Sequence, residues 1–235
     1  MKKVILLSAG FGKRLRPLTD SLPKPLMSIN GKPLLSIWLN RLIKFGFSSF
    51  LINSHYLHDK IEFFIKNSEH KDLITYSYEK NILGTAGTIL NNLDFLSDGG
   101  LLVHADNYCL ADFEKFYQAH INRPKSCLMT MMTFTTLSPE KCGIVEINEE
   151  NIVKNFFEKD LKAKGNIANA AIYYLSKDMI CEIQRDYNHC RDFSTEILPN
   201  FINKIYTWHS DDPLIDIGTP KDYKIANEID KKNNS

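Results

Sequence analysis

The chain has no CxxC pair, no long apolar run and almost no net charge, and each absence excludes a class of protein. Its five cysteines (Cys109, Cys127, Cys142, Cys181, Cys190) are scattered and odd in number. They read as reduced, mostly buried thiols of a cytoplasmic protein rather than a zinc site or a disulfide framework. The apolar runs fall far short of a membrane-spanning helix, and Val4-Ile5-Leu6-Leu7 is too short for a signal peptide. With 29 Lys and Arg against 28 Asp and Glu, the net charge of +1 removes any global case for a nucleic-acid or acidic-membrane partner. Repeats, low-complexity linkers and composition breaks are also absent. Residues 1–230 are therefore expected to form a single domain, followed by a disordered tail, 231–235.

What is present is ordinary globular material, 43% hydrophobic and 24% charged. A chain of 235 residues buries about 70% or more of its unfolded surface and needs no covalent staple. Charge is distributed unevenly along it. Residues 1–44 carry nine Lys or Arg and one acidic residue, Asp20, while the remainder carries 20 basic and 27 acidic residues. A basic segment on an otherwise acidic protein points to an anion site, or to a solvated basic face.

Strand and helix patterns alternate. Val4–Leu7 is a short buried-strand run ended by Ser8-Ala9-Gly10. Pro33 opens a helix with Leu34, Leu35, Trp38, Leu42 and Phe45 on one face, closed by Gly46. Strands are expected at 50–53, 73–78 and 101–104, and helices at 61–65, 88–96 and 112–120. The second half reads as short strands at 127–134, 143–147, 152–157 and 168–175, with a hairpin around Asn148–Asn151. Helices at 176–186 and 195–203, strands at 204–208 and 214–217, and a helix after Pro220 complete the pattern. This succession predicts an α/β fold: a mixed, mostly parallel central sheet flanked by helices, with the late hairpins as a small β lid. Open sheets of this kind bind ligands at the carboxyl ends of their strands, where Gly10, Asn53, Glu79 and Asp106 fall.

Four segments carry candidate chemistry. Ser8-Ala9-Gly10-Phe11-Gly12-Lys13-Arg14-Leu15-Arg16 is a small-residue loop loaded with cations. Its backbone N–H groups can approach phosphate oxygens, and Arg14 can fork two of them. It is neither a P-loop, since GxxxxGK[ST] is absent, nor a dinucleotide fingerprint, since Leu15 stands at the third glycine position; a plain basic turn is the alternative. Pro23-Lys24-Pro25 holds Lys24 on a stiff extended mount, either as a point charge for phosphate or as an idle surface lysine. Asp106 follows a predicted strand and Asp216 lies near the end of one, as metal ligands or as helix caps.

Taken together, six ordered motifs carry a resemblance. They are Leu7–Thr19, Pro23-Lys24-Pro25-Leu26, Leu83-Gly84-Thr85-Ala86-Gly87, Phe157-Glu158-Lys159, Asn169-Ala170-Ala171-Ile172-Tyr173 and Asp216-Ile217-Gly218-Thr219-Pro220. The chain resembles the sugar-1-phosphate nucleotidyltransferases, over roughly residues 4–226, and most closely the compact mannose- and heptose-1-phosphate guanylyltransferases. The resemblance implies the nucleotide-diphospho-sugar transferase fold and transfer of a nucleotidyl group from a nucleoside triphosphate to a sugar 1-phosphate. It implies a nucleotide site of Leu7, Ala9, Gly10, Gly12, Lys13, Arg14, Lys24, Asn53, Glu79, Gly84, Thr85 and Ala86. It also implies a sugar-phosphate site of Asn107, Gly143, Glu158, Lys159 and Asn169, with Mg²⁺ on Asp106 and Asp216. Arg14, Lys24 and Asp106 would be catalytic. Ala105 and Ala170 stand where glycine is common in the family, and Lys13 where threonine is.

The reaction calls for no general base. A phosphate monoester has a second pKa of about 6 and is largely dianionic at neutral pH, so the obstacle is repulsion between anions. Cations and in-line positioning answer it. Glu79 suits guanine, whose N1–H and 2-amino group are adjacent donors, unless it simply ends a strand facing water. The expected reaction is therefore guanylyl transfer. Uridylyl transfer to an N-acetylated sugar 1-phosphate and a catalytically silent nucleotide-sugar sensor are the alternatives. A glycosyltransferase is disfavoured because Asp106-Asn107-Tyr108 is not Asp-x-Asp. The partners are small molecules, and self-association into a homo-oligomer is left open.

Overall fold

The computed structural model describes residues 2–160 and 163–233. The chain divides into two compact units: Met1–Ile82 with Val103–Ala111 and Asp212–Ser235, and Leu83–Leu102 with Asp112–Asp211. The strand Gly99–His104 begins in the second unit and ends in the first.

In the first unit the strands Lys2–Leu7, Phe47–Ser54 and Ile74–Tyr78 run parallel, with Val4 opposite Phe50 and Ile52 opposite Tyr76. Val4, Ile5, Leu6, Phe50, Leu51 and Ile52 are fully buried, as their unbroken apolar runs require of a parallel sheet. The helix Leu34–Lys44 follows Pro33 and buries Leu34, Leu35, Trp38, Leu39 and Leu42. Gly46, at φ +79°, ends it in the left-handed conformation glycine favours. The short strands Asn107–Cys109 and Leu214–Asp216 pair antiparallel, which sets Asp216 opposite Asn107.

The second unit is mostly antiparallel. Ile167–Ser176 pairs with Met129–Thr135 and with Gly143–Ile147, and the latter pairs with Val153–Glu158. Ile205–His209 adds a parallel neighbour to Met129–Thr135. The expected hairpin is present, its turn closed by Asn148, whose Oδ1 accepts from the amides of Glu150 and Ile152. Asp112 caps the helix Phe113–Ile121 through the amides of Glu114 and Lys115, both at 3.0 Å.

Two expectations give way. The helix at 195–203 is a five-residue π turn, Phe193–Ile197, running into a 3-10 turn, Leu198–Phe201. Pro199 supplies no amide to a continuous α-helix, which favours the switch. The helix predicted at 88–96 begins earlier and stops earlier, as Thr85–Asn91. Of the expected tail, Lys231–Asn233 continue the last helix, Pro220–Asn233, and Asn234 and Ser235 lie outside the described residues.

Candidate active site

The first unit holds most of the expected nucleotide residues. Leaving the strand Lys2–Leu7, the chain passes through Ser8, Ala9 and Gly10 to Gly12, which adopts φ +61°. A side chain on Gly12 would press against Thr19 (3.1 Å), whose hydroxyl donates to the Gly12 carbonyl at 2.9 Å. At Gly10 an added Cβ would meet nothing within 4 Å. That glycine keeps space open rather than satisfying a packing demand. Leu7 is tied by its carbonyl to the amide of Ala105 at 3.1 Å, which brings Asp106 alongside the loop.

Lys24 does not project from an extended mount. Pro23 is extended, but Lys24–Leu26 form a 3-10 turn closed by Leu26 N–H to Pro23 O at 2.8 Å, and Lys24 is 5% exposed. Its ammonium lies 2.8 Å from Asp106 Oδ2 and 2.5 Å from Asp216 Oδ1. Arg14 Nη2 reaches Asp216 Oδ2 at 3.0 Å. Two carboxylates from adjacent strand ends thus converge on one cation. Burial pulls the Lys24 pKa down, but Asp106 and Asp216 outweigh it and leave the pKa above the ordinary lysine value. Burial likewise pushes Asp106 up, and Lys24, with His104, outweighs it and holds the carboxyl below the usual range. A cavity of about 170 Å³ opens here, lined by Gly12, Lys13, Arg14, Lys24, Asp106 and Gly218. Sequence reasoning gives Gly218, in the last of the six motifs, no role; a Cβ there would lie 2.9 Å from Arg14 Nη2.

Asn53 and Glu79 are 2% and 3% exposed, so Glu79 does not face water. Asn107 is also buried, and its carbonyl accepts from Trp38 Nε1 at 2.8 Å.

The second unit holds the remaining residues. Gly84 adopts φ +82°, and the Ala86 amide donates to Arg191 O at 2.9 Å. Thr85 Oγ1 accepts from the Phe193 amide at 2.7 Å. Glu158 pairs across the ladder with Gly143, and a Cβ on that glycine would sit 2.7 Å from Glu158 Oε2. Lys159, at φ +50°, turns its ammonium to within 3.4 Å of Glu158 Oε1. Asn169 is fixed at both ends of its amide: Nδ2 donates to Tyr173 Oη at 2.6 Å, and Oδ1 accepts from the Ala171 amide at 2.9 Å.

In that motif the backbone departs from the ladder between Asn169 and Tyr173, and Ala171, the residue after Ala170, is left-handed at φ +55°. A Cβ in that conformation costs about 1–2 kcal/mol. Ala171→Gly is expected to raise stability by about 1 kcal/mol net of the glycine's greater unfolded-state freedom. A urea midpoint equal to or below that of the parent would contradict this.

Among the described residues no helix is long and apolar enough to cross a membrane, and no three or more His, Cys, Asp or Glu residues gather as a metal cluster.

The nucleotidyl transferase family model matches residues 3–233, and the chain belongs to that family. Over 228 residues it is 31% identical to the D-glycero-alpha-D-manno-heptose 1-phosphate guanylyltransferase of Aneurinibacillus thermoaerophilus, covering 95% of this chain and 96% of that one. The protein of the same description from Campylobacter jejuni subsp. jejuni serotype O:2 is 31% identical over 229 residues, covering 94% and 96%. The crystal structure of HddC from Yersinia pseudotuberculosis complexed with GMP-PN matches with a TM-score of 0.81 at 27% identity, over 97% of this chain and 99% of that one. The resemblance read from the motifs holds, and with it the enzyme class and the mixed α/β fold.

Proposed function

We propose that the chain transfers a guanylyl group from GTP to a sugar 1-phosphate, releasing pyrophosphate. The observation that carries this is the cluster of Lys24, Arg14, Asp106 and Asp216 beside a glycine-rich loop. Guanine as the base is supported by the buried Glu79 carboxylate and by the guanylyltransferases among the relatives.

In this reading the amides of the Ala9–Gly12 loop and the Arg14 guanidinium hold the triphosphate. A phosphate oxygen of the sugar 1-phosphate attacks the α-phosphorus, and the bond to the β-phosphate oxygen breaks in line, so pyrophosphate leaves. Lys24 carries positive charge to the crowded α-phosphate, where two anions must meet. Glu158 and Asn169 grip sugar hydroxyls and Lys159 the sugar phosphate.

Asp106 and Asp216 suit Mg²⁺, because they converge on a point that already accommodates a cation, the Lys24 ammonium, and Mg²⁺ favours one or two carboxylates with phosphate oxygens and waters. When bound there, the ion would neutralise charge on the phosphate oxygens.

A pyrophosphate-release assay pairing five nucleoside triphosphates with heptose, mannose and N-acetylated sugar 1-phosphates tests the proposal. GTP should give the highest kcat/KM. A preference for UTP or CTP would defeat the base assignment and leave the family intact. The absence of pyrophosphate release with every pair would favour a silent binding protein.

A further inference from the structure

Asn53 ends the strand Phe47–Ser54 with both faces of its amide engaged. Its Oδ1 accepts from the Ser8 amide at 2.7 Å, and its Nδ2 donates to Glu79 Oε1 at 2.8 Å. The two partners belong to different parts of the expected nucleotide site, 45 and 26 residues away in the chain. Ser8 leads into the Ala9-Gly10 loop, and Glu79 is the candidate reader of the base. A second tie joins the same segments. His55 Nδ1 donates to the Glu79 carbonyl at 2.8 Å, and the His55 ring stands edge-on to Phe11 with centroids 5.6 Å apart. Phe11 lies in that loop.

We propose that Asn53 is a positioning residue for base selection, coupling the carboxylate of Glu79 to the phosphate loop. The residue type is what the geometry requires. The Ser8 N–H needs an acceptor and the Glu79 carboxylate needs a donor. A planar amide offers one of each, a few ångströms apart. Aspartate would set a second carboxylate against Glu79, and serine would be too short to reach both. With Nδ2 holding Oε1, the carboxylate plane is fixed, and buried polar partners of this kind hold one orientation because the alternative leaves a polar group unmatched. Base and triphosphate would then be read in a single frame, because the same side chain sets both.

The inference rests on the reading that Glu79 recognises guanine, and the test separates the two. ITP keeps N1–H but lacks the 2-amino group, so the ratio of kcat/KM for GTP to that for ITP reports the carboxylate's alignment. The parent enzyme should favour GTP by on the order of tenfold, the worth of one hydrogen bond to a charged group. Glu79→Gln should erase most of that preference. Asn53→Ser should lower the ratio at least several-fold, with activity on ITP falling much less than activity on GTP. Asn53→Asp should do the same and also unfold at lower temperature. Adding Glu79→Gln to Asn53→Asp should restore the melting temperature but not the preference for GTP, since the introduced carboxylate could then accept from both the Ser8 amide and the introduced carboxamide. If GTP and ITP activities fall in parallel in Asn53→Ser and the ratio holds, Asn53 serves the fold alone and the proposal is wrong. If Glu79→Gln keeps the parent ratio, the guanine reading fails at its source.

Discussion

Lys24→Met is expected to lower kcat by about 10³-fold, the scale of losing one aligned charge at a developing anionic centre, while the protein still folds. Methionine preserves the buried stem and removes only the ammonium. The charges left behind are not stranded. The Asp106 and Asp216 side chains are 39% and 46% exposed, so water can solvate them once the lysine is gone, and Arg14 remains on Asp216. The stability loss should therefore be about 1 kcal/mol, as for exposed pairs, not the 3–5 kcal/mol or so of a broken buried pair. A second readout needs no turnover. The ammonium occupies the space between the two carboxylates, and a divalent cation assigned to them must compete with it. Titration with Mn²⁺ in the absence of nucleotide should show tighter binding in Lys24→Met than in the parent, even as activity collapses. Activity within tenfold of the parent would remove Lys24 from the reaction, and unchanged or weaker Mn²⁺ binding would remove the competition.

The sequence exposes the chemistry of this centre better than its geometry. The run Val4–Leu7 followed by small residues marks a buried strand opening into a loop, and that inference needs only local information. The helix Leu34–Lys44 is equally local, written in its apolar spacing and in Gly46. The convergence of Asp106 and Asp216 is not local. It depends on the antiparallel pairing of Asn107 with Asp216, and strands of three residues leave too short a pattern to reveal a partner so distant in the chain. Lys24 illustrates the same limit. Its flanking prolines suggest an extended, exposed lysine, but the 3-10 turn and the two acidic partners bury it. A buried lysine is tolerable only where such partners exist, and nothing within ten residues of Lys24 announces them except Asp20, which pairs with Arg16 instead. Glu79 follows the same logic: its burial depends on Asn53, 26 residues earlier. The motif resemblance supplies what local patterning does not, because it carries tertiary information in the order and identity of residues.

Glycines separate the two kinds of demand most sharply, and Gly84→Ala should lower stability by about 3–4 kcal/mol. Gly84 sits at φ +82°, ψ 171°, a region essentially confined to glycine and costing another residue about 1–3 kcal/mol. A Cβ there would also lie 2.4 Å from the carbonyl oxygen of Arg191. That oxygen cannot retreat freely, since it accepts from the Ala86 amide at 2.9 Å. The segment carrying it is anchored on its other side, where Glu196 accepts from the amides of Arg191 and Asp192 at 2.6 and 2.7 Å. Relief of the clash therefore breaks a hydrogen bond worth about 1 kcal/mol in addition to the backbone strain. Gly10→Ala is the internal contrast. With ordinary backbone geometry and nothing within 4 Å of the added methyl, it should change stability by less than about 0.5 kcal/mol, yet raise the KM for the nucleotide by narrowing the loop's approach to phosphate. Urea unfolding of the two variants beside the parent measures the difference. A loss below about 1 kcal/mol for Gly84→Ala would mean that the Arg191 segment yields, and a Gly10→Ala variant with unchanged nucleotide KM would mean that the open space at Gly10 is not where phosphate binds.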